Sequence, residues 1–565
     1  MKQQSPWPLA PQKIILIALW SLPALFAFSI VWKHAVPVPF WDEWNTPGAQ
    51  IVSYYRGTLT FAELCSQHNE HRLLFPRLVL VPLAIVAGWD VRHGMVFTLC
   101  LVCLGSAGLY QLLRRSGEPG PARAIIFGMV SLLLFSPRVY ETFLVGAQGQ
   151  TFMPTFALVL ALLVNLSEKS LAAKTIINAA LAHIGTYSFG NGMLVWLLAF
   201  PLETPPASKR TRILCRASYL LLAAASIGSY FISYHHPPLS PPVVSPAAQT
   251  LAFLQFVLVW IGSLFSVKAP AVWGGGLLSL FVVMAILAYR QVRRSGVWQP
   301  HYPWLVLGCY TLISGCVAAA ARLGFPYSMA GDSRYAAFSV FLYIAVLGLG
   351  FSVCQHAQNH AFVARVAIPS AVVCLGLVLV LWLVTFKKER RFLRDWTRLK
   401  NHSLLVVRWA EAIPQNPEIA LLSPYPETPG VIHALAEHDA LRPRFVSKKL
   451  ARLVAETPSP GSESAGILEP TTPDPPGRLL LQGSARLPDQ NRPAHCLVFG
   501  FETANTPWQP FYVLETAAEK GERFSQTIEA SSLPRGAITI RACAIDLEHE
   551  RVFPMAGAIR LQGER

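Results

Sequence analysis

The chain has 565 residues, of which 53% are hydrophobic and 14% charged. Soluble domains carry about 25% charged residues, so a water-soluble coat over the whole chain is excluded and much of its surface must face lipid. The net charge of +16 would suit nucleic acid, but much of it sits in short loops beside apolar runs, at Arg114, Arg115 and Arg123, at Lys209, Arg210 and Arg212, and at Arg290, Arg293 and Arg294. That is the bias of cytoplasmic loops in a membrane protein, and no nucleic-acid partner is expected.

A membrane span needs about 20 apolar residues. The first run, 13–32, is too long for a signal-peptide core, and Val36-Pro37-Val38-Pro39 after it is a poor cleavage site. It reads as a retained first helix. The first outer loop, 33–72, opens with Phe40-Trp41-Asp42-Glu43-Trp44. Thr46-Pro47 predicts a helix start running through Tyr55. Gly57 breaks the chain, and Thr60 with Glu63 predicts a capping box and a second short helix. His68-Asn69-Glu70-His71-Arg72 closes the loop.

Further spans are expected over 92–113, 122–136, 150–166, 172–188, 191–202, 214–234, 271–290, 303–321, 336–353 and 365–386. Two more apolar stretches, 72–88 and 248–267, fit only as interfacial or half-inserted helices. Counting both as spans would move the basic loops at 114–123, 203–213 and 290–295 off the cytoplasmic side. The expected count is about eleven spans, with the N-terminus inside and the C-terminus outside. Lys387, Lys388, Arg390 and Arg391 directly after the last run argue the other way, but the rule weakens ahead of long translocated domains.

Residues 1–386 are thus expected to form a mainly α, polytopic transmembrane bundle, 387–464 a helical or mixed connector, and 465–565 a soluble β-rich domain. Phe392, Leu393, Trp396 and Leu399 fall at helical spacing among basic residues of the connector. Short alternating segments at 478–481, 496–501, 511–514 and 537–543, separated by turn residues, predict a β-sandwich. Of the ten cysteines, Cys100 and Cys103 form a CxxC inside an apolar run with no second pair, which fits packing better than metal. Cys496 and Cys543 fall in the soluble domain, and spacing leaves their pairing open.

Asp42 and Glu43 are adjacent carboxylates between two tryptophans. They read either as solvated acids beside an aromatic belt or as a general base, because a carboxylate among apolar rings gains proton affinity and can deprotonate a hydroxyl. His68 and His71 form only a weak metal spacing, and no metal is expected. Arg72 suits phosphate through paired hydrogen bonds. Glu141 falls in the second outer loop, and Gln148 and Gln150 at the start of the next span line a cavity or cap helices. Arg322 and Asp332-Ser333-Arg334-Tyr335 flank the last short outer loop. Either arginine alone can snorkel, whereas both together with Arg72 suit a phosphodiester whose charge grows as it departs.

In its order of motifs the chain resembles the lipid-carrier-dependent membrane glycosyltransferases of the GT-C class, which include the protein O-mannosyltransferases and the lipid A aminoarabinose transferase. The matching order is Asp42-Glu43, two small helices, Glu70-His71-Arg72, a span ending at Arg114-Arg115, and Glu141. It covers about residues 13–200, and hydropathy alone extends it further. The family's proline pair after the basic residue is replaced by Leu73-Leu74-Phe75-Pro76, and its second loop aspartate by Glu141. The layout also resembles bacterial membrane proteins of no assigned activity that carry a Gly146-Ala147-Gln148-like turn and a Ser333-Arg334-Tyr335-like motif.

The GT-C resemblance implies an inverting glycosyltransferase on the periplasmic face of a bacterial inner membrane. Asp42 or Glu43 would be the base. Arg72 would stand where the class has a phosphate-binding lysine and Glu141 where it has a second loop acid, while His71, Gln148, Arg322, Arg334 and Tyr335 are expected from their own chemistry and position to bind substrate or phosphate. No cofactor is implied beyond the lipid-linked sugar donor, and the partners are the bilayer, a polyprenyl-phosphate sugar and a glycan or lipid acceptor. No Walker loop or GxGxxG is present, which disfavours a nucleotide-sugar donor. A transporter or flippase of lipid-linked glycan is the chief alternative, although its charged residues would be expected nearer the midplane. A non-catalytic envelope scaffold is the third reading.

Overall fold

Lipid offers backbone amides no hydrogen-bond partners, so apolar runs close their own bonds as helices. The computed structural model describes residues 10–237, 240, 247–265, 267–357, 360–413, 416, 418–444, 446, 448–455, 464–470, 478–488, 492–516, 522–529, 533–534 and 536–561. Among the described residues, nine helices are long and apolar enough to cross a membrane: Ile17–His34, Val91–Arg115, Pro121–Leu144, Gly146–Asn165, Lys209–Phe231, Pro270–Ser295, Tyr302–Arg322, Ser333–Gln355 and Ile368–Arg408.

These nine answer to nine of the eleven expected runs. The other two differ from expectation. The run 172–188 is a 16-residue helix, Leu171–Thr186, about 24 Å long. The run 191–202 is a 3-10 turn, Gly190–Met193, followed by the five-residue helix Leu194–Leu198. Near the end of the first, the Gly190 N–H donates to His71 Nδ1 at 3.2 Å. Near its start, Lys174 Nζ donates to the carbonyls of Asn165, at 2.8 Å, and Thr204. The chain from 190 to 204 therefore retraces the Leu171–Thr186 helix as a 3-10 turn, one short helix and an extended tail. Gly192 permits this, because a side chain there would overlap the Gly185 carbonyl.

The stretches 72–88 and 248–267 form the helices Leu74–Ala87 and Thr250–Gly262, of 14 and 13 residues. At about 21 and 20 Å both fall short of a hydrocarbon core of about 30 Å. Thr250–Gly262 packs on Pro270–Ser295 through Gly262 and Gly274, where any side chain would strike the backbone of the facing helix.

The chain divides into two compact units, one of Met1–Ala35, Leu59–Pro82 and Val91–Trp396, the other of Val36–Thr58, Leu83–Asp90 and Thr397–Arg565. This departs from the expected division at 386, in which the whole loop 33–72 stayed with the membrane bundle. The loop's first half folds instead with the C-terminal residues. Trp44 and Trp89 meet edge to face at 5.8 Å, the Trp41 N–H donates to the Leu422 carbonyl at 2.7 Å, and Tyr55 stacks on His438 at 5.3 Å. Burying these large rings outweighs sequence proximity. The expected connector also begins differently: His360–Arg408 is one 49-residue helix. Its later part, 456–463, lies outside the described residues.

In the first unit a short hairpin pairs β1 (Gln67–His68) with β2 (His71–Arg72). The second unit carries β3 (Gly466–Leu468), β4 (Arg478–Leu487), β5 (Arg492–Pro493), β6 (Cys496–Glu502), β7 (Gln509–Glu515), β8 (Arg523–Glu529), β9 (Ile538–Asp546), β10 (Arg551–Pro554) and β11 (Ile559–Leu561). Among the described residues the named strands pair antiparallel, and an isolated parallel bridge joins Ile467 to Ala556. One sheet runs β10-β9-β6-β7 with β11 on β9, and the other runs β3-β4-β5 with β8 on β4. Leu479 and Leu481 of β4 and Phe524 and Ile528 of β8 share one core with Phe499 of β6 and Ile540 of β9. The opposite face of the larger sheet, with Cys496, Val498, Val513, Cys543 and Ile545, is covered by Leu405 and Trp409 and by Leu450 and Val454 of the helix Lys448–Ala455. Cover on both faces explains the near-continuous burial along β6.

Candidate functional site

The expected site residues fall into three groups. Asp42 and Glu43 begin the one-turn helix Asp42–Asn45 in the second unit, and successive helical positions point their side chains in different directions. Glu43 is only 2% exposed, and its Oε2 accepts the Phe40 N–H at 3.0 Å. Lys400, fully buried, donates to the Val38 carbonyl at 2.5 Å, sits 5.0 Å from the Phe40 ring centroid and attracts the Glu43 charge. Asp42 stays half-buried, and its Oδ1 accepts the Tyr425 hydroxyl at 2.9 Å. The two acids therefore have different surroundings, one structural and one accessible. Lys400 and Tyr425 carried no signal in the sequence, because their partners lie more than three hundred positions away.

The second group surrounds the hairpin of the first unit. Arg72 spreads its guanidinium over three carbonyls, those of Tyr230 at 2.6 Å, Cys65 at 3.1 Å and Ile232. Two of these close the end of the Lys209–Phe231 helix, where a cation is favoured. Glu70 pairs with Arg322 at 3.0 Å and accepts the Ser240 hydroxyl. Burial works against the Glu70 charge, but Arg322, His71 and the Ser240 hydrogen bond outweigh it and hold the carboxyl below its ordinary range. The Tyr230 hydroxyl donates to the Glu70 carbonyl at 2.7 Å, and the His71 ring lies 3.8 Å from that of Phe189. The structure thus brings His71, Arg72 and Arg322 together. The central role of Glu70 was not anticipated, although its place between the two histidines was visible.

The third group, also in the first unit, joins Glu141, Arg334 and Tyr335. The Ser333 hydroxyl accepts the Glu141 N–H at 3.1 Å and donates to the Arg138 carbonyl at 2.8 Å. The Glu141 carboxylate accepts the Arg334 N–H at the start of the Ser333–Gln355 helix, a favoured end for an anion. Arg334 pairs with Asp332 at 3.2 Å and lies 5.4 Å from the Tyr335 ring centroid. Burial raises the Asp332 carboxyl, partly offset by Arg334 and Arg138. Arg138, not singled out beforehand, pairs with buried Glu389 at 2.9 Å and also donates to Ser263 and Gly331. Gln148 ends the 3-10 turn Gly146–Gln148, where its carbonyl accepts the Thr151 hydroxyl at 2.8 Å. Among the described residues its side chain makes no hydrogen bond to the residues of the three groups.

His495, Asp546 and Glu548 offer ligand atoms within 4.8 Å of one another. However, Asp546 accepts the N–H groups of Glu548 and His549, His549 Nδ1 at 2.8 Å, and Arg551 at 3.3 Å. Arg492 bridges Asp546 and Glu548 at 3.4 and 2.8 Å, while His495 Nδ1 accepts the Leu547 N–H. Cations and N–H groups occupy the positions a metal would need, so this is an ion-pair network.

No protein-family model, curated protein or solved structure matches this chain.

Proposed function

We propose that the protein is a glycosyltransferase that moves a sugar from a polyprenyl-phosphate carrier to a glycan or lipid acceptor, with inversion. The observation that supports this best is the convergence of Arg72 and Arg322 on the Glu70-His71 hairpin where two long helices end. Guanidinium groups at helix ends suit a phosphate whose charge grows as it leaves. The acceptor oxygen attacks the anomeric carbon and its proton passes to a carboxylate. The bond from carbon to phosphate oxygen breaks with its electron pair, releasing polyprenyl phosphate. Phosphate is already a weak base, so no strong general acid is needed.

The resemblance assigns the base to Asp42 or Glu43. Asp42 is the better choice, because Glu43 is enclosed and held by the Phe40 N–H. The basic loops support a cytoplasmic N-terminus. The first loop and the C-terminal unit, read as a β-sandwich with its helical cover, then face the periplasm of a bacterial inner membrane.

Reconstitution of the purified protein with a radiolabelled polyprenyl-phosphate sugar and a membrane glycan extract tests the proposal. Labelled glycan is expected with the wild type and is lost in Asp42→Asn and in Arg322→Ala. Transfer untouched by both Asp42→Asn and Glu43→Gln eliminates the proposed base. Vectorial movement of the carrier without bond cleavage would establish a transporter instead.

A further inference from the structure

The helical cover over the larger sheet stops short. Cys496, Val498, Val513, Cys543 and Ile545 lie beneath it, but the same face continues along β6 to Gly500 and Glu502 and along β9 to Arg541. Gly500 stands directly opposite Arg541 in the sheet register. With no side chain of its own, Gly500 receives the Trp508 ring, and a Cβ there would come within 2.6 Å of it. Trp508 is anchored by its Nε1, which donates to the Val454 carbonyl at 2.9 Å. It marks the edge of the covering layer. Beyond it a cleft of about 250 Å³ opens, lined by Trp508, Glu502, Arg541, Met555, Ala556 and Ala558 among others.

The lining is chemically mixed. Arg541 and Glu502 face each other at 3.6 Å, with side chains 38% and 33% exposed. That separation is too long for a hydrogen bond, and neither side chain hydrogen-bonds to another described residue. The pair therefore offers a fork of N–H donors beside a carboxylate acceptor, with no net charge. Trp508, Met555 and two alanines form the apolar part. A pyranose ring has the matching pattern, with an axial C–H face that lies on an aromatic wall and vicinal hydroxyls that both donate and accept.

We propose that this cleft binds a neutral pyranose unit of a glycan. The charged pair reads adjacent hydroxyls, and Trp508 supplies the stacking wall. The balanced charge selects against sugar phosphates and uronates. The inference rests on the lining of the cleft alone, and the transfer reaction proposed above enters nowhere in it.

The test uses the full-length protein in detergent, screened by calorimetry against cellotetraose, maltotetraose, mannotetraose and chitotetraose at about 5 mM, where a site near 1 mM is mostly filled. At least one sugar is expected to bind. Arg541→Ala removes the donor fork, and Ala556→Trp fills the cleft from an exposed position. Each should weaken binding by roughly tenfold or more without lowering the unfolding temperature. Binding of none of the four sugars overturns the proposal, as does binding unchanged in both variants. Sugar transfer by Arg541→Ala is expected to persist, so failure here leaves the transferase reading intact.

Discussion

The Tyr425 hydroxyl donates to Asp42 Oδ1 at 2.9 Å across 383 positions of chain. It orients the accessible member of the acidic pair. If Asp42 takes the acceptor's proton, Asp42→Asn lowers transfer by about 10²–10⁴-fold. Tyr425→Phe, which frees the carboxylate to rotate, costs about tenfold or less. The double variant should be no slower than Asp42→Asn alone, since both changes act through one group. Rates measured in reconstituted membranes check this.

Lys400 is fully buried beside Glu43. Removing one partner of a buried pair leaves a charge without its counterpart, at a cost of about 3–5 kcal/mol. Lys400→Met and Glu43→Gln should each destabilise the second unit by that order. The double variant should lose clearly less than the sum, because no lone charge remains. Thermal unfolding in detergent, together with limited proteolysis after residue 397, reads the effect.

The Glu70–Arg322 pair ties the hairpin to the end of the Tyr302–Arg322 helix, with side chains 20% and 25% exposed. A double-mutant cycle on Glu70→Gln and Arg322→Gln should give a coupling of about 1 kcal/mol. Additive behaviour would mean that the pair contributes no coupling.

Asp546 is fully buried. Burial alone would raise its carboxyl, but hydrogen bonds from His549, Arg551 and the N–H groups of His549 and Glu548 prevail and hold it below its ordinary range. A depressed folded value means that its stabilisation is present above the unfolded value, about 3.9, and is lost as pH falls through the folded one. Asp546→Asn should therefore be less stable than wild type at neutral pH, by about 2 kcal/mol. The difference should shrink below about pH 4. Denaturant titrations at several pH values measure it.

Cys496 and Cys543 are free and buried on one face of neighbouring strands. In the register Cys496 faces Ile545 and Val498 faces Cys543, so the two cysteines are diagonal, about 7–8 Å apart at Cα. That is beyond the usual disulfide reach. Burial pushes both thiols up to about 12. Neither should react with maleimide in the folded protein, and both should react once it is denatured. A protected, unreactive pair in the denatured, unreduced protein would show a bond instead.

The membrane helices were legible from the sequence because each depends on a contiguous apolar run, and so were β4, β6, β7 and β9, because their apolar segments and the turn residues between them are local. The run at 191–202 reads as a span because hydropathy records transfer to lipid and not backbone form, yet its helical part is only a 3-10 turn and five α-helical residues. There Gly192 lets the chain lie against Gly185 of its neighbour. Asp42, Glu43 and Arg72 could be chosen as polar groups beside apolar segments, but their partners could not. Tyr425, Lys400 and Tyr230 meet them only through folding. A charge is made structural or accessible by what surrounds it in space, and sequence order carries almost none of that. Only the tertiary structure could separate Glu43 from Asp42 and fold the first half of the first loop with the C-terminal residues.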